Sequence, residues 1–530
     1  MKILKYISIT LLVSTTLLFT TQCADYDQIN QNDPGATEEE GERDNYFLKA
    51  YMATLQNWVI PSNQDANQFV DQLLGGSYGG YLADVRANFN NRNYSTYTPE
   101  DHWVQVLFND YFTNVITTYN TITEKTDDPV LISVAKVSKV MAMSRVTDVY
   151  GPIPYTRAGV GGVLYAPYDS QQEVYNAMFA DLDDAIQKLT DNQTSKFAPN
   201  SDRFFGGDPA KWAKLANSIK LRLAMRIVNV DPALAKTKAE EVMAHSIGPM
   251  ANNSDNVVLT LTAAQNNPYQ VGLVDYNGGD SRISADITSY MNGYNDPRRE
   301  QYFDLSTFTS SAITDGYIGF RSGVTIPSPQ SIGQQYSSMN EKIRRASSMR
   351  IVCAAEVAFL RAEGALRGWS MGGTAKELYE SGITLSFEQW GAAGAADYIA
   401  DNTSVPDRYI DPLGAFSFTG APSTIKVAWD ITSNTIAGPN FERIITQKWI
   451  AIYPDGIEAW SEFRRTGFPK LMPVLTNNSN GIVSSERMAR RLRYPVSEYT
   501  GNLTNVQYAI TNYLGGPDNL ATDVWWAKKD

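Results

Sequence analysis

The sequence predicts an all-α fold of stacked, tetratricopeptide-like helical hairpins with long loop-rich insertions. Three observations carry that expectation. Apolar residues recur at spacings of three and four over much of the chain, as on the buried face of a helix. Asp-Pro and Ser-x-x-Glu signals stand directly before several of these stretches, where helices begin. Only one short run, residues 257–261, reads as a strand.

The first 22 residues read as an export signal. Lys2 and Lys5 make a positive start, and residues 7–19 form an apolar run too short to span a bilayer. Cys23 follows directly, as in a bacterial lipobox, which implies cleavage before it and acylation of the new N-terminus. Gln22 stands where that pattern usually carries a small residue. Several acyl chains, each buried CH₂ contributing about 0.8 kcal/mol, hold a soluble body on a membrane. Residues 23–44 are then a lipidated Cys and a flexible acidic tether, and residues 45–530 a single helical domain. No other run of about 18 apolar residues is present.

Within the domain, Asp128-Pro129 opens a helix whose Val130, Val134, Val137 and Met141 share a face, and Tyr150-Gly151-Pro152 closes it. Ser170 and Glu173 make a capping box ahead of Val174, Met178, Leu182, Ala185 and Leu189. Asp208-Pro209 opens a helix that turns Trp212, Leu215, Ile219, Leu223 and Ile227 inward, and Asp231-Pro232 opens the next. Residues 347–391 read as a helical hairpin. Val352, Ala355, Phe359, Ala362 and Leu366 form its first stripe, Gly372-Gly373 the break, and Ala375, Tyr379, Ile383, Phe387 and Trp390 its second. Cys353 lies in this stretch and is expected as a reduced core residue. Small residues at the crossings suit stacked helix pairs, although no exact period of about 34 residues recurs. Loop-rich insertions lie near 61–98, 250–345 and 393–437, with a similar stretch at 471–490. Loops of such length are commonly functional or disordered.

Composition narrows the function. The 530 residues include 30 Tyr, 20 Phe and 10 Trp, a rich aromatic content, while charged residues make up 19%. A net charge of −12 repels phosphate backbones, so nucleic acid is not an expected partner. Two His, His102 and His245, cannot build a multi-His metal centre, and neither HExxH nor CxxC is present. Two Cys give no disulfide framework. No metal or other cofactor is expected. The nearest alternative is a calcium ion at Asp275, Asn277 and Asp280, which alternate loosely without EF-hand spacing.

A set of motifs runs in fixed order along the chain. They are Ile29-Asn30-Gln31-Asn32-Asp33-Pro34 after the lipid site, Asp148-Val149-Tyr150-Gly151-Pro152-Ile153-Pro154-Tyr155, Asp296-Pro297-Arg298 and Ala355-Glu356-Val357-Ala358-Phe359-Leu360-Arg361-Ala362-Glu363. Gln447-Lys448-Trp449-Ile450-Ala451, Glu458-Ala459-Trp460, Arg464-Arg465-Thr466-Gly467, Arg493-Tyr494-Pro495, Glu498 and Val524-Trp525-Trp526 complete the series. Each is weak alone; their order over nearly the whole chain is specific, and it resembles that of the SusD/RagB nutrient-binding outer membrane lipoproteins of Bacteroidetes-type bacteria. The resemblance implies four tetratricopeptide-like hairpins and no catalysis. It implies a lid over a TonB-dependent barrel of the SusC/RagA type that imports the captured glycan or peptide, and surface placement on the outer membrane.

Glycan capture needs flat apolar faces beside hydrogen-bonding groups, and tyrosine supplies both. The insertions offer Tyr78, Tyr81 and Asp84, then Tyr269, Tyr276, Asn277, Asp280, Arg282 and Tyr294. The competing reading is that these tyrosines fold the loops onto the body. Peptide capture would use the same loops through more backbone hydrogen bonds. Trp449, Trp460, Trp525 and Trp526 are expected as packing residues, and Arg464 and Arg465 in structural ion pairs. A lipid-anchored glycoside hydrolase is one alternative. Glu356 and Glu363 share a helix face with backbones about 10 Å apart, yet hydrogen-bonded structural Glu is the blander reading. Neither a nucleophile elbow nor a Walker A sequence is present. A helical-repeat scaffold or adhesion protein is the other alternative.

Overall fold

Asp128 accepts hydrogen bonds from the amides of Val130 (2.8 Å) and Leu131 (3.4 Å), and so starts α1 (Pro129–Tyr150). The helix stops where Gly151 takes φ +85°, a conformation that side chains with a Cβ rarely adopt. Ser170 and Glu173 form the expected capping box of α2 (Gln171–Asp191). Asp208 and Asp231 cap α3 (Pro209–Arg226) and α4 (Pro232–Ala244). Each cap satisfies an otherwise orphaned N–H and contributes about 1 kcal/mol. The pair α5 (Ala354–Leu366) and α6 (Ala375–Trp390) comes next, then α7 (Pro439–Ala451) and α8 (Gly456–Thr466).

The computed structural model describes residues 45–528 except 91, 164, 309–315 and 326–329. The signal segment, Cys23 and the tether lie outside the described residues. The chain divides into Met1–Ala50 and Tyr51–Asp530. Of the first unit only the start of the helix Tyr46–Asn57 is described. All eight helices α1–α8 belong to the second unit, where they make four consecutive pairs. α1 packs on α2, α2 on α3, α3 on α4, and α5 on both α6 and α7, while α3 also reaches α5. This is the expected all-α fold of helical hairpins.

Sheet structure among the described residues is limited to two antiparallel ribbons and isolated bridges. β1 (Leu82–Asp84) and β3 (Ser281–Ile283) pair with Ala83 opposite Arg282. β2 (Val257–Thr260) and β4 (Ser348–Val352) pair with Leu259 opposite Met349. The strand read at 257–261 therefore forms, and its partner corrects the reading of the hairpin. Val352 ends β4, and helix α5 begins only after Cys353. That residue is buried and unpaired, and burial pushes its thiol up to about 12.

Residues 61–98 are not an open loop. A helical run from Gln64 passes through π-type turns at Gln68–Gly75 and ends at Tyr78, and nearly all of it is buried. The glycines that suggested flexibility allow a close crossing instead. A Cβ on Gly456 at the start of α8 would lie 2.2 Å from the carbonyl carbon of Gly75. One on Gly79 would lie 2.7 Å from the oxygen of Gly456.

Candidate ligand-binding face

The structure corrects most of the sequence-based site residues by burying them. Tyr78 is 1% exposed and packs against Tyr94, Tyr97 and Trp460. Tyr81 is fully buried, stacks on Trp449 at 5.5 Å and donates its hydroxyl to the Trp449 carbonyl. Tyr269 and Tyr294 are buried too, and the Tyr294 hydroxyl donates to the carbonyl of Ile425 at 2.9 Å. None of these rings offers a face to a ligand. A large ring gains more from the core than a loop surface can return, and a carbonyl partner satisfies the hydroxyls of Tyr81 and Tyr294. For these tyrosines the competing reading holds: they fold the insertions onto the body.

Asp84, Asp280 and Arg282 are also buried, and they brace the β1–β3 ribbon. Asp84 accepts from the hydroxyls of Ser95 and Ser281, each at 3.3 Å. Asp280 accepts from Gln68 and lies 3.3 Å from the Arg86 guanidinium. Burial, with the Asp280 charge adding, pushes the Asp84 carboxyl up to about 7; burial pushes Asp280 up to about 6. Arg282 donates to the carbonyls of Ser281 (2.9 Å), Gly278 (3.1 Å) and Leu273 (3.3 Å). Burial, and the Arg344 charge after it, push Arg282 down to about 10. Asp275 accepts from Gln270 at 2.8 Å rather than sharing a site with Asp280. Among the described residues no group of three or more His, Cys, Asp or Glu is placed to hold a metal.

What these buried groups hold is a tight turn carrying Tyr276 and Asn277, the two predicted residues that face solvent. Tyr276 is 49% exposed. Asn277, Gly278 and Gly279 all have positive φ, and the Gly279 amide donates to the Tyr276 carbonyl at 2.9 Å. Arg86 donates to the Asn277 carbonyl at 2.9 Å, and Gln334 to that of Gly278 at 3.3 Å. Two residues beyond Gln334, the Tyr336 ring meets Phe308 and Phe320, each at 4.8 Å. Phe320 meets Phe416 at 6.4 Å, and the Arg321 guanidinium lies 5.2 Å over Phe418. Asp411 anchors this side, accepting from the hydroxyls of Tyr336 (2.6 Å) and Tyr409 (3.3 Å). Phe308, Phe416 and Phe418 are half-buried over a core of Ala83, Val85, Phe320 and Met472.

The outcome is three partly exposed rings, Phe308, Phe416 and Phe418, over one apolar core, and the exposed Tyr276 and Asn277 on a turn that Gln334 ties to the segment leading to Tyr336. Sequence reasoning missed the three phenylalanines. The available signal was Phe416-x-Phe418, an apolar alternation inside a Gly- and Ser-containing loop.

The carboxylates of the hydrolase reading are engaged elsewhere. Arg222 holds Glu356 through two hydrogen bonds, and Arg465 holds Glu363 likewise. Lys448, Arg226, Glu458 and Glu462 complete a buried network of alternating charges. Trp449, Trp460 and Trp526 are buried as expected, and Trp525 is partly so.

The sequence profile of the SusD-like family, described as SusD and RagB outer membrane lipoproteins, matches residues 28–527. The chain belongs to the SusD/RagB family. Solved structures agree. A SusD homologue from Bacteroides uniformis is 44% identical, with a TM-score of 0.86, and the match covers 91% of this chain and 100% of that one. A SusD homologue from Bacteroides thetaiotaomicron is 40% identical, with a TM-score of 0.84, covering 91% and 99%. A SusD homologue from Flavobacterium johnsoniae, described as chitin-binding, is 38% identical, with a TM-score of 0.86 and the same coverage. No curated protein matches the sequence. The SusD/RagB assignment makes this an outer membrane lipoprotein. No helix among the described residues is long and apolar enough to cross a membrane.

Proposed function

We propose that this SusD/RagB protein is a non-catalytic cell-surface binder. It captures an oligosaccharide on the Tyr276–Phe418 face and delivers it to a partner TonB-dependent outer membrane barrel. The observation that carries the reading is the cluster of partly exposed phenylalanines together with the exposed Tyr276 turn that Gln334 ties to the same side. Such a surface matches the C–H faces of sugar rings and leaves donors and acceptors for hydroxyls. The chitin-binding relative supports a β-linked amino-sugar oligomer as the first probe. The engagement of Glu356 and Glu363 in ion pairs supports binding without turnover.

Two experiments test this. In calorimetry with chito-oligosaccharides, malto-oligosaccharides and peptides, the reading expects saccharide binding with no shortened products. Hydrolysis, or binding of peptides alone, overturns it. In a gentle detergent pull-down of the tagged full-length chain from its native membranes, a large β-barrel should be recovered near one to one. Recovery of the protein alone, where other envelope complexes survive, overturns the delivery step.

A further inference from the structure

A cavity of about 560 Å³ lies between the end of α8, the segment just after it, residues 486–490 and the C-terminal residues 523–527. That volume is typical of small-molecule sites. Its charged lining is Arg464, Lys470, Arg487 and Arg490 against Glu486 and Asp523, an excess of positive charge in a chain whose net charge is −12. Phe463 and Leu471 supply apolar wall.

The carboxylates present do not neutralise those cations. Asp523 alone serves both Arg487 (2.6 Å) and Arg490 (2.5 Å). Lys470 comes only within 4.0 Å of Glu442. Arg464 corrects the expectation of paired arginines: Arg465 has its ion pairs, whereas Arg464 has no carboxylate at ion-pair distance among the described residues. Arg464 is 1% exposed, and its guanidinium donates only to neutral oxygens: the carbonyls of Asp148, Arg490 and Trp460 and the hydroxyl of Ser461. It lies 3.7 Å from the Trp460 ring centre. The carboxylate that most offsets the Arg464 charge, Asp148, already lies 3.3 Å from the Arg226 guanidinium, and an anion in the adjoining cavity offsets part of the remaining cost of burying Arg464.

We infer that this cavity is a second ligand site, selective for the carboxylate or sulfate group of an acidic saccharide. The sugar ring lies against Phe463 and Leu471. The anion faces Lys470 and Arg487 at the mouth, and Arg464 and Arg490 hold the interior positive. The anion half of the assignment stands on the cavity alone; the saccharide half rests on the function proposed above.

The test is calorimetric titration of the full-length chain in detergent with D-glucuronate, glucose 6-sulfate and D-glucose. At least one acidic sugar should bind one to one and glucose should not; the two acidic arms distinguish carboxylate from sulfate. Arg487→Glu and Lys470→Glu change side chains that are 59% and 54% exposed, so α8 stays intact. Each should weaken binding tenfold or more, and raising the salt should weaken it severalfold. Tyr276→Ala and Phe418→Ala should leave it unchanged. Absence of millimolar binding by both acidic sugars overturns the inference, as does binding that survives both charge reversals. Chito- or malto-oligosaccharide binding without acidic-sugar binding sinks this site and leaves the ring face standing; acidic-sugar binding with no binding of either neutral oligomer does the reverse.

Discussion

Arg465 and Glu363, 102 positions apart, meet through two parallel hydrogen bonds, Nη1–Oε1 at 2.7 Å and Nη2–Oε2 at 2.6 Å. Both side chains are buried, and Glu462 and Arg367 flank them. The pair ties α5 to α8. Removing one partner leaves the other charged in the core. Glu363→Ala should therefore lower unfolding free energy by about 3–5 kcal/mol, read as a reduced urea midpoint with an unchanged slope.

The pH dependence of stability should be domed. Burial pushes the Glu462 carboxyl up, but the charges of Arg465, Lys448 and Arg226 overcome it and hold it at about 2. Such a depressed group binds fewer protons folded than unfolded. Its stabilisation is present above the unfolded value of about 4.3 and is lost as pH falls toward 2. Asp84, at about 7, and Asp280, at about 6, run the other way. Their stabilisation is present below about 3.9 and is lost as pH rises through 6 and 7. Urea midpoints should peak near roughly pH 4. Asp84→Asn should raise the midpoint at pH 8 and leave it nearly unchanged at pH 4. Equal shifts at both pH values would contradict the assignment.

Gly456→Ala should destabilise strongly. The added methyl would lie 2.2 Å from a backbone atom of Gly75, which cannot swing aside as a side chain can. Overpacking of this kind costs about 1–3 kcal/mol or more. A thermal midpoint lowered by several degrees should report it, whereas Gly481→Ala, at a glycine with open space around it, should show only the smaller cost of its positive φ.

Tyr276→Ala should weaken chito-oligosaccharide binding about fivefold to tenfold with no change in thermal midpoint, since a ring contact contributes about 1 kcal/mol. Arg282→Met, which cuts the braces to Gly278 and Leu273, should weaken the same binding without touching the ligand. Its signature is faster amide exchange confined to residues 273–279. Unchanged affinity in both variants would remove the turn from the binding face.

The helix starts were legible because a cap is local. Asp128, Ser170, Asp208 and Asp231 each bond amides within three positions. The pairing of β4 with β2 was not, because Val352 fits a helical stripe and a strand equally well until its partner at Val257 is known. The site was legible only in part for the same reason. Tyr276 and Tyr81 look alike in sequence: each is a tyrosine beside glycines. What separates them is Trp449, which receives Tyr81 and not Tyr276. Arg464 and Arg465 are adjacent and identical in type, yet only one meets a carboxylate, because successive helix positions point about 100° apart.

Tyr81 and Trp449 stand 368 positions apart, and Gly75 crosses α8 just beyond Trp449. Secretion delivers a chain from its N-terminus. The tyrosine-rich early segment therefore emerges long before its binding pocket in the core has been made. A chain ending before residue 449 has no place to bury Tyr81 and must display it. Chain completion itself thus becomes the checkpoint: a truncated product keeps sticky aromatic surface exposed.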